Sequence, residues 1–340
     1  MRVLAGDVGG TSTRLAIVDV DADDARLLYK RRFASTDFPG LAPIVRAFLT
    51  DVADTPGSAC VGMACPVLNG QCNPTNLSWT VDTRTLALEI GIPRTEVIND
   101  IQAVGHAVPR LRSADLETLQ TGEPTDGGPM ALIGAGTGLG EAFVTSSGDA
   151  YQVHASEGGH TSFSARSDLE WGLRASLADT FGHVSSERVV SGPGLVSIYR
   201  YLAAIGKAEE QASVRAEMDR SDPAAVISGQ ALAGTDTLSA QALDMFASAY
   251  GARAGDLALT VMATGGVYVT GGIAPRIVPK LRDGTFMTAF RDKGRLSGIL
   301  ARVPVSVIVN PDVGLVGAAV VAMRRWPEAP APSRERRHAL

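Results

Sequence analysis

Two short glycine bursts, each held between apolar runs, constrain this chain more than any other feature. The first is Gly6-Asp7-Val8-Gly9-Gly10-Thr11, preceded by Val3-Leu4-Ala5 and followed by Leu15-Ala16-Ile17-Val18. The second runs from Gly134 through Gly136-Thr137-Gly138 to Gly140, preceded by Met130-Ala131-Leu132-Ile133 and followed by Ala142-Phe143-Val144-Thr145. Apolar and β-branched runs around glycines predict strand, tight turn and strand in both places. The same unit thus heads two successive sections of the chain, a weak internal repeat. Glycine supplies 37 of 340 residues, about 11% against a usual ~7%, in bursts rather than a collagen-like period.

The rest of the chain alternates strands and helices, which predicts α/β architecture. Leu41, Ile44, Val45, Phe48 and Leu49 keep a 3.6-residue rhythm over 41–52. Strands are expected at 60–67 and at 96–98, the latter delivering Asn99 and Asp100 to its end before a helix at 101–108. The stretch from about 169 to 243 reads as mainly helical, and 239–260 is apolar enough to be largely buried. A strand at 266–270 leads into Gly271-Gly272, followed by a last strand at 305–309 and a closing helix at 314–323. At ~150 residues per domain, 340 residues predict roughly two domains.

Backbone N–H groups in glycine turns cradle anions, so the bursts point to phosphate. No G-x-x-x-x-G-K-[ST] loop occurs, and no G-x-S-x-G elbow. The second burst is followed by strand-like residues, not by the helix of a dinucleotide fingerprint. What remains is a pair of hairpin turns facing one another and holding a nucleotide between two domains. Asp7 beside such a cradle makes sense as a ligand of Mg²⁺, directly or through water. Ordinary hairpin turns are the alternative, and Gly271-Gly272 after a later strand weighs against it.

Composition excludes several classes. Lys and Arg number 31 against 36 Asp and Glu, a net charge of −5, and aromatics are 5%, which argues against nucleic acid as a partner. Asp7 interrupts the N-terminal apolar run too early for a signal peptide, and no window reaches the ~18 apolar residues of a membrane span. A cytoplasmic protein is expected. Cys60, Cys65 and Cys72 lack the pairing of a zinc site and read as buried free thiols.

Seven ordered pieces resemble the bacterial glucokinase family: the first burst with Arg14, Ala64-Cys65-Pro66, Ile98-Asn99-Asp100, Gly136-Thr137-Gly138-Leu139-Gly140, Ser156-Glu157-Gly158-Gly159-His160, Glu187 through Gly192, and Val269 through Ile273. They span nearly the whole chain. The resemblance implies an α/β, two-domain actin-like (ribonuclease H-like) sugar kinase with ATP in the interdomain cleft. It implies a small domain of 1–110 plus 303–325 and a large domain of 111–302, and the proline-, alanine- and arginine-rich composition of 326–340 reads as a frayed tail. The resemblance also implies a homodimer.

In that light Asp100 is the general base that takes the 6-hydroxyl proton of glucose, although a helix N-cap is the plainer reading of the residue alone. Asn99, Asp100, Glu157, His160 and Glu187 match the family's glucose contacts. Asn76 is a lesser candidate for shaping the sugar pocket. Gly6, Asp7, Val8, Gly9, Gly10 and Thr11 would approach the ATP phosphates from one side and Gly136, Thr137 and Gly138 from the other. Gly271 and Gly272 would lie near the adenosine. His106, His154, His183 and His338 read as structural or surface residues.

The expected reaction is phosphorylation of glucose by Mg·ATP to glucose 6-phosphate. A kinase for another hexose and a catalytically silent sugar-binding regulator are the alternatives. Relatives in the wider repressor/kinase superfamily carry a cysteine-rich zinc motif after the sugar-binding histidine, whereas here no cysteine follows Cys72. Ile101, where an aromatic is common, Glu141 and Arg166 depart from the family pattern.

Overall fold

The computed structural model describes residues 1–52, 55–74, 77–148 and 150–326. Asn76 and the stretch 327–340, with His338, lie outside the described residues. The chain divides into two compact units, one of Met1–Arg110 with the chain from Pro311 onward, the other of Leu111–Asn310.

In the first unit, strands Arg2–Val8, Ser12–Val20 and Ala25–Ala34 form an antiparallel meander. Strands Ala59–Met63 and Thr95–Asn99 then add in parallel beside Arg2–Val8. Side chains alternate between the faces of a strand, and here the alternation feeds two cores. Leu4, Leu15, Ile17, Val61 and Met63 pack with Phe48 of helix Leu41–Leu49. Val3, Ala5, Ala16, Val18 and Cys60 pack with Leu315, Ala318 and Ala319 of helix Val313–Arg325. Coverage of both faces explains why these strands read as unbroken apolar runs. Helix Val313–Arg325 also lies against helix Asp100–Ala107, so closely that a Cβ at Gly317 would overlap the Ala103 carbonyl.

His106 in that second helix is largely buried, with no hydrogen-bond partner for Nδ1 among the described residues. Burial, helped by the Arg324 charge, pushes its pKa from 6.5 down to about 4. The unfolded chain therefore takes up a proton between these values that the folded chain refuses. Stability is full above pH 6.5 and falls as the pH drops towards 4, by at most about 3 kcal/mol. Urea unfolding at pH 7 and pH 5 should show a smaller loss for His106→Gln than for the parent. Equal losses would remove His106 as the cause.

The second unit repeats the plan. Met130–Ala135, Leu139–Ser147 and Ala150–Ser156 form the meander, and Gly266–Thr270 and Val305–Ile308 add in parallel. Leu116–Gln120 closes the edge antiparallel. The weak repeat in the sequence is thus a repeat of sheet order. Over this sheet lie the helices of the predicted helical stretch, including Asp168–Phe181, Gly192–Ala204 and the 25-residue Thr237–Val261. Tyr250 of the last is fully buried; its hydroxyl accepts from the Ala135 amide and donates to the Ile133 carbonyl, each at 3.1 Å. The strand end that leads into the second glycine turn is thereby anchored.

Two expectations are corrected. The last strand, Val305–Ile308, hydrogen-bonds beside Gly266–Thr270 in the second unit's sheet, so residues 303–310 belong there and only the chain from Pro311 joins the first unit. Nor are all three cysteines free: Cys65 and Cys72 form a disulfide with Cα atoms 6.0 Å apart, leaving Cys60 as the free, buried thiol. Asn69 and Gly70, with φ of 53° and 77°, turn the short strand Val67–Leu68 back onto Gln71–Cys72, which returns Cys72 to Cys65. Among the described residues no helix is long and apolar enough to cross a membrane.

Candidate active site

The first unit gathers its candidates at the carboxyl ends of its parallel strands. Register places Val8 beside Met63 and Met63 beside Asn99. Ligands of open α/β sheets bind beyond such ends. The turn proper is Gly9, Gly10 and Thr11, closed by the Gly9 amide on the Ser12 carbonyl at 3.0 Å. Gly6, Asp7 and Val8 are still strand residues, and Gly6 and Val8 are buried. Gly6 is required by packing, since a Cβ there would sit 3.0 Å from Val61 and 3.1 Å from Leu15.

Asp7 sits opposite Arg14 in the antiparallel register, and the guanidinium engages its Oδ2. Arg14 also donates to the Pro311 carbonyl and lies 3.9 Å from Asp312, which pairs with Lys30 at 2.7 Å. Among the described residues no group of three or more His, Cys, Asp or Glu side chains is built to hold a metal ion. A single carboxylate beside a glycine turn nevertheless fits Mg²⁺, which keeps several waters and is commonly held by one or two carboxylates plus substrate phosphates.

Asn99 and Asp100 stand at the junction of strand Thr95–Asn99 and helix Asp100–Ala107. The capping role falls to Asn99, not Asp100: its Oδ1 accepts from the Ile101 and Gln102 amides at 3.1 and 3.2 Å. Its Nδ2 donates to the Cys65 carbonyl at 3.2 Å. Asp100 opens the helix, with Oδ1 2.7 Å from the Ile101 amide. Ile101 itself is buried. A residue not singled out in the sequence, Gly62, makes this placement possible: a Cβ there would lie 3.4 Å from the Asp100 Cα and 3.1 Å from the Ala103 Cβ.

The second unit brings the remaining candidates together. Turn 136–138 is closed by the Gly136 amide on the Gly138 carbonyl, and the Gly192 amide reaches the Gly136 carbonyl, both at 2.8 Å. Register sets Gly134 against Thr270, so Gly271 and Gly272 emerge beside that turn. Gly271, with φ of +87°, presses on Ala135, where any Cβ would collide with backbone. Thr137, Gly271 and Gly272 are exposed.

Next to this turn stands Glu187, whose Oε2 accepts from the Leu139 amide at 3.0 Å and would lie 2.5 Å from a Cβ at Gly138. The short turn Gly158–His160 carries the histidine between two carboxylates. His160 Nε2 is 3.8 Å from Glu157 and Nδ1 is 4.0 Å from Glu187. These three side chains are partly exposed and offer both donors and acceptors, the inventory a sugar's hydroxyls require.

Two surrounding residues acquire reasons. His183 Nε2 lies 3.0 Å from the His160 carbonyl and steadies the loop. Arg166 binds Glu170 through its amide and guanidinium at 2.6 and 2.7 Å and reaches Ser248 at 2.8 Å, which ties the segment after the loop to two helices.

A fold with a duplicated sheet order and glycine turns at the strand ends, beside a cluster of one histidine and two glutamates, is that of sugar kinases of the actin-like type. The glucokinase family profile matches residues 4–325. A glucokinase of Nostoc sp. is 43% identical over 95% of this chain and 99% of its own. That of Pectobacterium atrosepticum is 37% identical over 93% and 95%. Among solved structures, glucokinase from an Antarctic psychrotroph superposes with a TM-score of 0.81 at 32% identity, over 95% of this chain and 99% of that one. A ROK-family glucokinase from Streptomyces griseus shares the fold with a TM-score of 0.66 at 21% identity, over 95% and 100%. The chain belongs to the glucokinase family.

Proposed function

We propose that the protein transfers the γ-phosphoryl group of ATP to the 6-hydroxyl of glucose, giving glucose 6-phosphate and ADP. The observation that carries this reading is the grouping of Glu157, His160 and Glu187 directly beside glycine turn 136–138, in a chain whose family match runs from residue 4 to 325. Phosphoryl transfer requires little covalent chemistry of a protein beyond positioning, charge neutralisation and a group to receive the hydroxyl proton.

Asp100 receives that proton as the 6-oxygen attacks phosphorus and the bond to ADP breaks. Glu157, His160 and Glu187 bind sugar hydroxyls, and Asn99 adds the N–H of its amide that does not go to Cys65. Gly9 and Gly136 close the two turns through their own amides, and the amides of Gly10, Thr11, Thr137 and Gly138 bind phosphate oxygens. Gly271 and Gly272 admit the nucleoside. Asp7 would hold Mg²⁺ through water, and the cation would neutralise phosphate charge there. The same reading takes the enzyme to be cytoplasmic and homodimeric; light scattering of the purified protein at twice the 35.4 kDa chain mass would support the dimer.

A coupled assay with Mg·ATP across a panel of hexoses tests the proposal. Turnover with glucose well above the other sugars is the expected result. Turnover with a different hexose would keep the mechanism and replace the substrate, whereas glucose binding without turnover would make the protein a sugar sensor.

A further inference from the structure

We infer that Glu141 and Arg253 form a buried ion pair that sets the position of the sugar loop 157–160, making both of them positioning residues for the hexose. The inference rests on the sugar-binding role proposed above for Glu157 and His160. Glu141 follows the second glycine turn on strand Leu139–Ser147 and is paired in register with Ser156. Its carboxylate is fully buried. Arg253, from helix Thr237–Val261, grips it with both arms: Nε lies 2.6 Å from Oε1 and Nη2 lies 2.7 Å from Oε2. The same Nη2 donates to the Gly158 carbonyl at 2.9 Å.

That carbonyl is the centre of the loop. It also accepts from the Thr161 amide at 3.0 Å and the Thr161 hydroxyl at 2.8 Å, and Glu157 and His160 flank it. Both glycines of the loop are held in close contact, Gly158 by the ion pair and Gly159 by the strand. A Cβ at Gly158 would run into Glu141 Oε2 and lie 2.9 Å from Arg253 Nη2; one at Gly159 would run into the Leu139 carbonyl. The loop therefore rests on the ion pair and on the start of the strand, with no side chain intervening.

An apolar pair of similar volume would fill the same space and commonly matches or exceeds a buried ion pair in stability. It would not donate a hydrogen bond to Gly158. A rigid guanidinium fork can hold a carboxylate and still aim one N–H at a carbonyl, which a lysine ammonium on a flexible stem cannot reproduce. The first residues of the strand thus serve two neighbours at once: the Leu139 amide holds Glu187, and Glu141, through Arg253, holds the loop of Glu157 and His160.

The test uses the full chain as Arg253→Lys, Glu141→Gln and the double variant. Charge-assisted hydrogen bonds contribute enough that the KM for glucose should rise on the order of tenfold in each single variant, with the KM for ATP within about twofold of the parent. Because both changes disturb the same Glu141–Arg253 pair, the double variant should cost little more than either alone. Hydrogen exchange at the His160 and Thr161 amides should quicken in Arg253→Lys, a readout independent of turnover and of whether Glu141→Gln folds. Unchanged glucose KM and exchange in a folded Arg253→Lys protein would overturn the inference, as would equal rises in both KM values. A parent protein that neither binds nor phosphorylates a hexose would instead remove the proposed function, and with it this inference.

Discussion

Asp100→Asn is expected to lower kcat for glucose phosphorylation by about 10²–10⁴-fold, the range contributed by a positioned general base, while the KM for glucose changes little. Asparagine preserves size and can still accept the hydrogen bond from the Ile101 amide that Asp100 Oδ1 accepts at 2.7 Å. It cannot receive a proton. Helix integrity does not depend on the substitution, because the cap is Asn99. The measurement is steady-state kinetics beside a thermal melt. A melt like the parent's with kcat within a few-fold of it would show that the 6-hydroxyl proton leaves by another route. Loss of glucose binding with retained folding would make Asp100 a sugar ligand first.

Gly317→Ala should destabilise the first unit by about 3 kcal/mol or more, the upper end of overpacking costs. One methyl group seldom matters so much. Here it would be driven into the Ala103 carbonyl and towards the Ala107 amide, backbone atoms that cannot rotate aside. Relief requires helices Val313–Arg325 and Asp100–Ala107 to separate, which opens the core around Leu315, Ala318 and Ala319. Because the second of these helices begins at Asp100, a fall in kcat should accompany the loss of stability. Urea denaturation gives the measurement, and a change below about 0.5 kcal/mol, typical of surface positions, would mean that the helix contact is looser than described.

Both glycine turns, the strand that ends at Asn99, the helical middle and the closing helix are legible in the sequence, because burial on both faces of a sheet and on a helix stripe leaves apolar runs with a period. Strand Ala25–Ala34 is not legible. It sits at a sheet edge, Lys30, Arg31 and Arg32 face water, and only Phe33 is buried. The Asn69-Gly70 pair is a usable turn signature in the sequence, and the disulfide depends on that turn. Choosing between Asn99 and Asp100 as the cap was beyond composition, as both residue types cap well. Arg253 looks like a surface charge of a long helix, and its partner lies 112 residues away in the chain. Glu141 stood out as a departure, but its reason lies in that distant contact.

The division of the chain also dictates an order of assembly. One of the two cores of the first unit is completed by Leu315, Ala318, Ala319 and Ala322, which are synthesised some 200 residues after Arg110. At ~5–20 residues per second on the ribosome, about 10–40 s pass before that helix can dock. Until then Val3, Ala5, Ala16 and Val18 lack the helix that covers them in the finished fold. The second unit is continuous in sequence and can close first, so the part of the protein made earliest is completed last.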